Sequence, residues 1–433
     1  MRLSINGQKI RDLIAIPFLF LFVYGFPITF LPINTSKVML IFMVPIFLIT
    51  LIDVSNKYIV KKWLLTKYAF LLCMIMISIY YPVVFHDTRD FAIAYKYFIM
   101  LIEALIGSLG FYYLFLKNRD LFFLCRSIVI ITVLQSLIIL SMLISPQVRE
   151  TVFQLTVDRS DLFLRYGGFR GLGLSASVTY DLSVFLSIGM ILSSYMVIAK
   201  RQNIFFYSFA WLINFVAIMI TGRTGLIGVA ISLWILVYAF KKISTLKKTV
   251  VFVLKIFLIL IIGVVSLIII NPGYIVTLFN EYIISFAFEM FINHAETGQF
   301  ETESSNILMA MYFPVSLSTF FIGDGYYMDP VTGRFYMGTD AGYMRHLLFY
   351  GIFPSLMLYF FYLSGFLGMA KKVRHDKIFY SVILLLGGYF FIVHIKGDFL
   401  LGSPMNIKIF FILFVYIFYS KKTNTCNKQN ISS

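Results

Sequence analysis

Long, uninterrupted apolar blocks constrain this chain more than any other feature of its sequence. About 20 consecutive apolar residues cross a bilayer as a helix, and the chain holds many such blocks with short polar segments between them. Backbone polar groups in lipid must be satisfied internally, so blocks of this kind fold as helices. Outer-membrane barrels are excluded because their strands alternate apolar and polar residues. We therefore expect an all-α integral membrane protein.

Twelve apolar segments predict about twelve transmembrane helices. The first segment is too long for the apolar region of a signal peptide and no small-residue cleavage site follows it, so we expect it to be retained. The segments cover residues 13–33, 38–52, 66–85, 97–116, 121–145, 176–199, 204–220, 226–240, 249–270, 347–369, 378–395 and 406–420.

Composition and charge agree with this interpretation. Of 433 residues, 60% are hydrophobic and 13% are charged, whereas soluble domains carry about 25% charged residues. The net charge of +16 is concentrated in alternate loops, and about twice as many Lys and Arg residues fall on one side as on the other. This bias predicts that both termini are cytoplasmic, so the positive charge reflects topology and we expect no nucleic-acid partner. The three cysteines show no spacing typical of a disulfide framework or a zinc site.

The domain organisation follows from the loops. Residues 1–433 are expected to form a single multi-pass membrane domain, with one large external loop at 271–346 and a polar cytoplasmic tail at 421–433. A loop as long as 271–346 usually carries function or secondary structure of its own. Its apolar stretches at 281–292 and 306–322 predict short helices on the outer surface.

A short turn between predicted spans seven and eight, Thr221-Gly-Arg-Thr-Gly225, is the most informative local motif. The two spans leave little spare length, so Arg223 is expected at or just below the outer interface, where a guanidinium needs a partner or a water-filled cavity. Its planar fork suits a phosphate or pyrophosphate. The alternative is an arginine that snorkels to lipid headgroups.

A glycine-rich segment with two arginines, residues 165–173, precedes span six. Its glycines let backbone amides approach a ligand closely, and Arg165, Tyr166 and Arg170 are suited to a sugar phosphate. A flexible loop whose arginines bind anionic lipid is the alternative. Asp181 follows, inside the span.

A third group of polar residues lies before span ten, at Thr339-Asp340-Ala-Gly-Tyr343 followed by Arg345 and His346. Asp340 and His346 are candidates for proton transfer. For Asp340, a helix cap formed by Thr339 or Asp340 is the alternative. Three further residues at the outer end of span eleven can close the same site: His394, Lys396 and Asp398.

Taken together, these motifs resemble a Wzy-type O-antigen polymerase of the O-antigen ligase and polymerase superfamily. The segment Phe169–Gly173 precedes a span, and Thr221–Gly225 is similar to the family's Thr-Gly-Ser-Arg-Thr-Gly turn without its serine. Thr339–Tyr343 and Tyr350-Gly351-Ile352 match the family's Asp-x-Gly-Tyr and Tyr-Gly-Ile-x-Gly, with Pro354 at the last glycine. The large external loop lies in the second half of the chain, as in the family.

The resemblance implies a GT-C-like glycosyltransferase in the bacterial inner membrane. Such an enzyme joins undecaprenyl-pyrophosphate-linked repeat units on the periplasmic face, uses them as both donor and acceptor, and needs no metal or other cofactor. It implies that Arg170 and Arg223 neutralise the departing pyrophosphate and that Asp340 or His346 orients or deprotonates the acceptor. The residues implied in substrate binding are Arg165, Tyr166, Arg334, Tyr343 and Arg345.

One departure from the family pattern concerns the external loop. Relatives often carry an arginine before the Gly-x-Gly segment where this chain reads Ser304-Ser305-Asn306. Arg334 or Arg345 can substitute, or the pyrophosphate site rests on fewer cations.

A histidine base at the ligase position is absent, which favours a polymerase over an O-antigen ligase. A lipid-linked glycan flippase or another transporter is the remaining alternative, although no internal repeat is visible. A chain-length co-polymerase is the expected protein partner, and membrane lipids surround the chain.

Overall fold

The computed structural model describes residues 5–52, 67–156, 171–177, 179–199, 203–242, 285–299 and 301–420. Within these ranges the chain is all-helical, with one isolated antiparallel bridge between Met328 and Phe335 and no β-strand. The sixteen α-helices of the described ranges are α1 Ile5–Tyr24, α2 Thr35–Ile52, α3 Lys67–Phe85, α4 Phe91–Phe111, α5 Leu121–Ile144, α6 Pro146–Leu155, α7 Thr179–Ala199, α8 Ile204–Thr221, α9 Leu226–Lys242, α10 Ser285–Thr297, α11 Glu303–Ala310, α12 Leu317–Ile322, α13 Gly342–Tyr350, α14 Ile352–Lys372, α15 Lys377–His394 and α16 Pro404–Tyr419.

Helices that could span a membrane are present, as the apolar blocks predict. Six helices in the described ranges are long and apolar enough to cross a membrane. One runs from Ile93 to Leu116 and so extends α4, and the others lie within α5, α7, α8, α14 and α15. Shorter apolar helices occur in α2, α3, α9 and α16. A helix occurs in eleven of the twelve predicted segments, and the remaining segment, 249–270, lies outside the described residues.

Helix boundaries follow local chemistry. The Asp120 carboxylate accepts the backbone N–H of Phe123 and begins α5, and Asp376 caps the start of α15 in the same way. Proline occupies the first position of α6 and α16, where its missing N–H costs no helical hydrogen bond. In the large loop, α11 begins with a capping box made by Thr302 and Ser305. The predicted helix at 306–322 is interrupted between α11 and α12, and of the stretch at 281–292 the described part is helical.

Helix α7 forms the centre of the bundle. In its apolar part, 94% of the residues are buried inside the protein, and it packs against α5, α8, α9 and α15. Small residues allow this packing, because a Cβ added at Gly228 of α9 would lie 2.4 Å from the Ser187 hydroxyl of α7. The first turn of α7 packs against the 222–225 turn, since a Cβ at Gly222 would lie 3.5 Å from Tyr180 Cα, and this contact matters for the candidate site.

The two ends of the bundle differ. We call the loop-rich end the one formed by residues 25–34, 86–90, 171–177, 222–225 and 395–403. Its segments bond to neighbouring elements, as the Ala176 N–H does to the Tyr24 carbonyl and the Thr88 hydroxyl to the Gly325 carbonyl. At the opposite end, Arg119 pairs with Asp12, and Tyr195 donates to Asp376 at 2.7 Å. We call this the basic end, from its Lys117, Arg119, Lys371, Lys372 and Arg374.

Candidate functional site at the loop-rich end

A cavity of about 290 Å³ lies at the loop-rich end and contains two cationic side chains, Arg223 and Lys396. Hydroxyl groups face the same space, and aliphatic side chains form the rest of the wall. The lining residues are Arg223, Thr224, Ile227, Thr302, Ser304, Ser305, Leu308, Ile392, Val393, Ile395 and Lys396. Two cations beside several hydroxyl donors form a site suited to a phosphate-bearing ligand.

The local fold of the Thr221–Gly225 turn positions Arg223. Helix α8 ends at Thr221, and Arg223–Gly225 form one 3₁₀ turn before α9. A Cβ at Gly225 would lie 2.7 Å from the Ser183 carbonyl oxygen, so the glycine allows the turn to pack directly on α7. The guanidinium forms an ion pair with Glu289 of α10 and is about one-fifth exposed. Arg223 thus has both a partner and a cavity.

Lys396 provides the second cation from the segment that follows α15. Its Nζ donates a hydrogen bond to the Ser304 Oγ at 2.9 Å. Ser304 begins the stretch at which the resemblance leads one to expect an arginine. Lys396 therefore brings a positive charge next to Ser304, in the stretch of the external loop where this chain has no arginine.

Asp340 lies half-buried beside this region and does not cap α13. The residue at the N-cap is Ala341, which forms no side-chain cap, so the cap predicted as an alternative is not formed. Burial raises the pKa of Asp340, while the nearby charges of Arg345 and Lys396 act in the opposite direction. This carboxylate is thus within electrostatic reach of one of the cavity's cations.

Arg345 is a buried cation between two aromatic rings. Its guanidinium carbon lies 3.7 Å from the Tyr327 ring centre and 3.9 Å from that of Phe335, and only 8% of the residue is exposed. Cation–π contact of this kind is strong where water is excluded. Arg345 therefore packs the 327–335 turn onto the bundle.

His346 belongs to a buried hydrogen-bonded cluster around Asp398. His346 Nε2 donates to Asp398 Oδ1 at 3.0 Å, and the Tyr359 hydroxyl lies 3.2 Å from Nδ1. The second carboxylate oxygen accepts from Tyr97 at 2.6 Å and from Tyr327 at 3.3 Å. Burial alone would raise the pKa of Asp398, but the histidine and the tyrosine donor hold it below its ordinary value. Both ring nitrogens of His346 are thus engaged within the protein.

The same cluster offers three possible metal ligands. Nitrogen and oxygen atoms of His346, His394 and Asp398 lie within 4.8 Å of one another. Each already has a hydrogen-bonding role, however, because Asp398 Oδ1 also accepts the Leu401 N–H at 3.1 Å and His394 Nδ1 accepts the Phe399 N–H at 3.2 Å. His394 Nε2 forms no hydrogen bond, but a metal held by His346 Nε2 and Asp398 Oδ1 would have to displace the 3.0 Å bond between them, so these two groups fit a hydrogen-bonded network better than a metal centre.

The remaining predicted site residues occupy different places. Tyr343 donates to the Phe391 carbonyl oxygen at 3.0 Å and packs edge-on against His394. Arg334 is exposed on the turn bridged by Met328 and Phe335. Arg165, Tyr166 and Arg170 lie outside the described residues.

The loop-rich end brings together residues that are far apart in sequence. Arg223 and Lys396 share the cavity, Asp340 lies near Lys396, and His346 is buried against Asp398. Glu289 was not singled out from the sequence, because one acid among eight in the external loop carries no local signal of its partner. No protein-family model, curated protein or solved structure matches the chain.

Proposed function

We propose that this protein is an O-antigen polymerase that joins undecaprenyl-pyrophosphate-linked oligosaccharide units and releases undecaprenyl pyrophosphate. The observation that carries the proposal is the cavity shared by Arg223, Lys396 and the hydroxyls of Thr302, Ser304 and Ser305. A pyrophosphate needs several cationic and hydroxyl donors at once. The aliphatic side chains of Ile227, Leu308 and Ile392 in the same wall suit a ligand whose phosphates are attached to a lipid.

The proposed orientation places twelve spans in the inner membrane with both termini in the cytoplasm. The excess of lysine and arginine at the basic end supports this orientation, because positive loops stay on the cytoplasmic side. The cavity belongs to the opposite, loop-rich end, together with the described part of the 271–346 loop. The proposed site therefore faces the periplasm, where lipid-linked repeat units are expected after export.

The proposed chemistry is a glycosyl transfer without covalent participation of the protein. An acceptor hydroxyl oxygen forms a bond to the anomeric carbon of the donor while the bond from that carbon to the pyrophosphate oxygen breaks. The bonding electrons leave with the pyrophosphate, and Arg223 and Lys396 stabilise the charge that develops there. The acceptor proton passes to a nearby base. Of the two predicted candidates, Asp340 is the one whose side chain is not committed to the core, since both His346 ring nitrogens are occupied.

Some of the predicted site residues, and the predicted protein partner, remain part of the proposal on the evidence of the sequence alone. Arg170 is proposed as a further cation at the pyrophosphate, with Arg165 and Tyr166 near the sugar. Arg345, which lies between the Tyr327 and Phe335 rings, is proposed to act on the Asp340 carboxylate through its charge and not by direct contact with substrate. A chain-length co-polymerase is the proposed protein partner.

A lipopolysaccharide gel of the host with and without this gene tests the proposal. Loss of a polymerase leaves lipid A core carrying a single repeat, because export and ligation continue. We expect that one-repeat band in the deletion strain and a restored ladder when the gene is supplied again. A profile without any repeat would contradict the proposal. Long chains accumulating on the undecaprenyl carrier would then indicate a ligase, and their absence a flippase.

A further inference from the structure

Several buried side chains at the loop-rich end have polar atoms without hydrogen-bond partners, and three of them lie at the starts of α7 and α16. Asp181 is 6% exposed, Ser403 is 0% exposed and Asn406 is 1% exposed. Asp181 Oδ1, Ser403 Oγ and both amide atoms of Asn406 form no hydrogen bond with the protein. Buried polar atoms are almost always paired, so unpaired atoms in a group indicate a ligand or water that they are arranged to bind.

Asp181 and Ser403 are neighbours, and Asn406 lies in the first turn of the helix that Ser403 begins. Asp181 lies in the first turn of α7, and the hydroxyls of Ser177 and Ser403 lie beside its carboxylate. Ser403 is the N-cap residue of α16 yet forms no side-chain cap. Asn406 follows three positions later and so lies on the same face of the helix. The starts of α7 and α16 therefore carry unpaired donors and acceptors at the same end of the bundle.

We infer that Asp181, Ser403 and Asn406 form a binding site for the hydroxyl groups of a sugar. The group offers a carboxylate acceptor, an amide that donates and accepts, and a hydroxyl that does both, which is the combination that vicinal sugar hydroxyls complement. The Asp181 carboxylate disfavours a phosphate at this point. The amide donor and the positive end of the α16 dipole disfavour a bare cation.

The sugar site lies near the cavity that contains Arg223 and Lys396, so one substrate can occupy both. A Cβ at Gly222 would lie 3.5 Å from Tyr180 Cα, so the turn that carries Arg223 packs on the same first turn of α7 that carries Asp181. The inference rests on the proposed function for the identity of the substrate and adds to it the place where a sugar ring binds. Asp181 here is a binding residue, because nothing places it at the reacting atoms.

Cysteine labelling of the full-length protein tests the site directly. In a functional background with Cys73, Cys125 and Cys426 replaced by serine, Ser403→Cys should react with a small hydrophilic thiol reagent. The matched control is Ser193→Cys, since Ser193 is equally buried on α7 and its Oγ is bonded to the Gly189 carbonyl at 2.7 Å, and it should not react. The free repeat-unit oligosaccharide, released from the host's carrier lipid by mild acid, should slow the labelling of Ser403→Cys, and inorganic pyrophosphate should not.

Two results of the labelling would overturn the inference. An unreactive Ser403→Cys would mean that no ligand reaches this position, and labelling unaffected by the oligosaccharide would mean that the group binds water only. Labelling slowed by the oligosaccharide alone supports a sugar site.

Substitution separates this inference from the proposed function. Asn406→Leu keeps the volume of the side chain and removes its unpaired polar atoms, so a purely structural asparagine would tolerate it. We expect polymer formation to fall about tenfold or more, as for the loss of hydrogen bonds to substrate, with normal protein level and thermal stability. A full ladder with Asn406→Leu, in a host whose deletion strain shows the one-repeat band, would overturn the sugar site and leave the proposed function intact. A deletion strain without that band would overturn the proposed function whatever the labelling shows.

Discussion

At the scale of single residues, Arg223 combines an acidic partner with a place in the wall of the cavity. Its guanidinium contacts the Glu289 carboxylate and borders the cavity that also contains Lys396. In the proposed mechanism an incoming pyrophosphate replaces or shares the carboxylate contact. Arginine suits this exchange better than lysine because its planar fork can hold two oxygens at once.

We therefore expect both Arg223→Ala and Arg223→Lys to lose polymer formation while the protein level in the membrane stays normal. The lysine variant keeps the charge and loses the fork, so a loss of about tenfold or more is expected at a bidentate site. The ladder on a lipopolysaccharide gel measures the effect, and Arg89→Ala is the control because Arg89 is largely exposed. Retained activity in the lysine variant would mean that charge alone suffices, and retained activity in the alanine variant would remove Arg223 from the mechanism.

Asp398 is the residue on which the buried cluster depends. It accepts hydrogen bonds from His346, Tyr97, Tyr327 and the Leu401 N–H. Asp398→Asn removes the negative charge and replaces an acceptor with a donor, so donors around it lose their partner. We expect the free energy of unfolding to fall by about 3–5 kcal/mol, as when one partner of a buried pair is removed.

Thermal unfolding of the detergent-solubilised protein measures this change. Asp87→Asn is the matched control, because Asp87 is largely exposed at the same end of the bundle, and it should change stability by no more than about 0.5 kcal/mol. An Asp398→Asn variant as stable as the wild type would show that the cluster does not hold the loop-rich end together.

At the scale of elements, the contact between α13 and the end of α15 determines how the candidate site is assembled. The two elements approach closely at Gly342, where a Cβ would lie 2.5 Å from the carbonyl oxygens of both His394 and Gly397. The glycine of the Asp-Ala-Gly-Tyr motif is thus required by packing. This close approach brings Asp340 toward Lys396 and places His346 against Asp398.

We expect Gly342→Ala to reduce the free energy of unfolding by about 1–3 kcal/mol, because overpacking displaces α13 or the 394–397 backbone. Gly388→Ala on α15 is the control, since a Cβ there meets no atom within 4 Å. Alanine is the better helix former by about 1 kcal/mol, so this control should leave stability unchanged or increase it. Equal melting temperatures for the two variants would contradict the packing role of Gly342.

At the scale of the whole molecule, charge divides the bundle into two ends. The basic end holds Lys117, Arg119, Lys371, Lys372 and Arg374, and the loop-rich end holds the cavity. If the positive end stays in the cytoplasm, the cavity opens to the periplasm.

Cysteine accessibility in intact cells tests this orientation. Val331 is 92% exposed on the turn at the loop-rich end, and His375 is exposed at the basic end. In a cysteine-free background, Val331→Cys should react with a membrane-impermeant reagent in intact cells, and His375→Cys only after the inner membrane is permeabilised. The reverse pattern would put the cavity in the cytoplasm and contradict the proposed function.

Much of the fold could be predicted because each helix is encoded locally. The apolar blocks correspond to helices such as α5 and α7, and the glycines at 222, 225 and 342 mark real turns and close approaches. The interruption between α11 and α12 was not predicted, since the apolar pattern at 306–322 continues across it. Caps at Asp120 and Asp376 show why boundaries depend on single side chains.

The pairing of side chains was decided by tertiary structure. Local composition determined that the chain is helical and membrane-embedded, because a backbone in lipid must satisfy its own hydrogen bonds. That Arg223 meets Glu289, that Lys396 joins the same cavity, and that Asp398 accepts from Tyr97, 301 positions away in sequence, follows from how the helices pack. Hydrophobic burial is non-directional, so apolar blocks specify that helices associate but not which polar groups then meet.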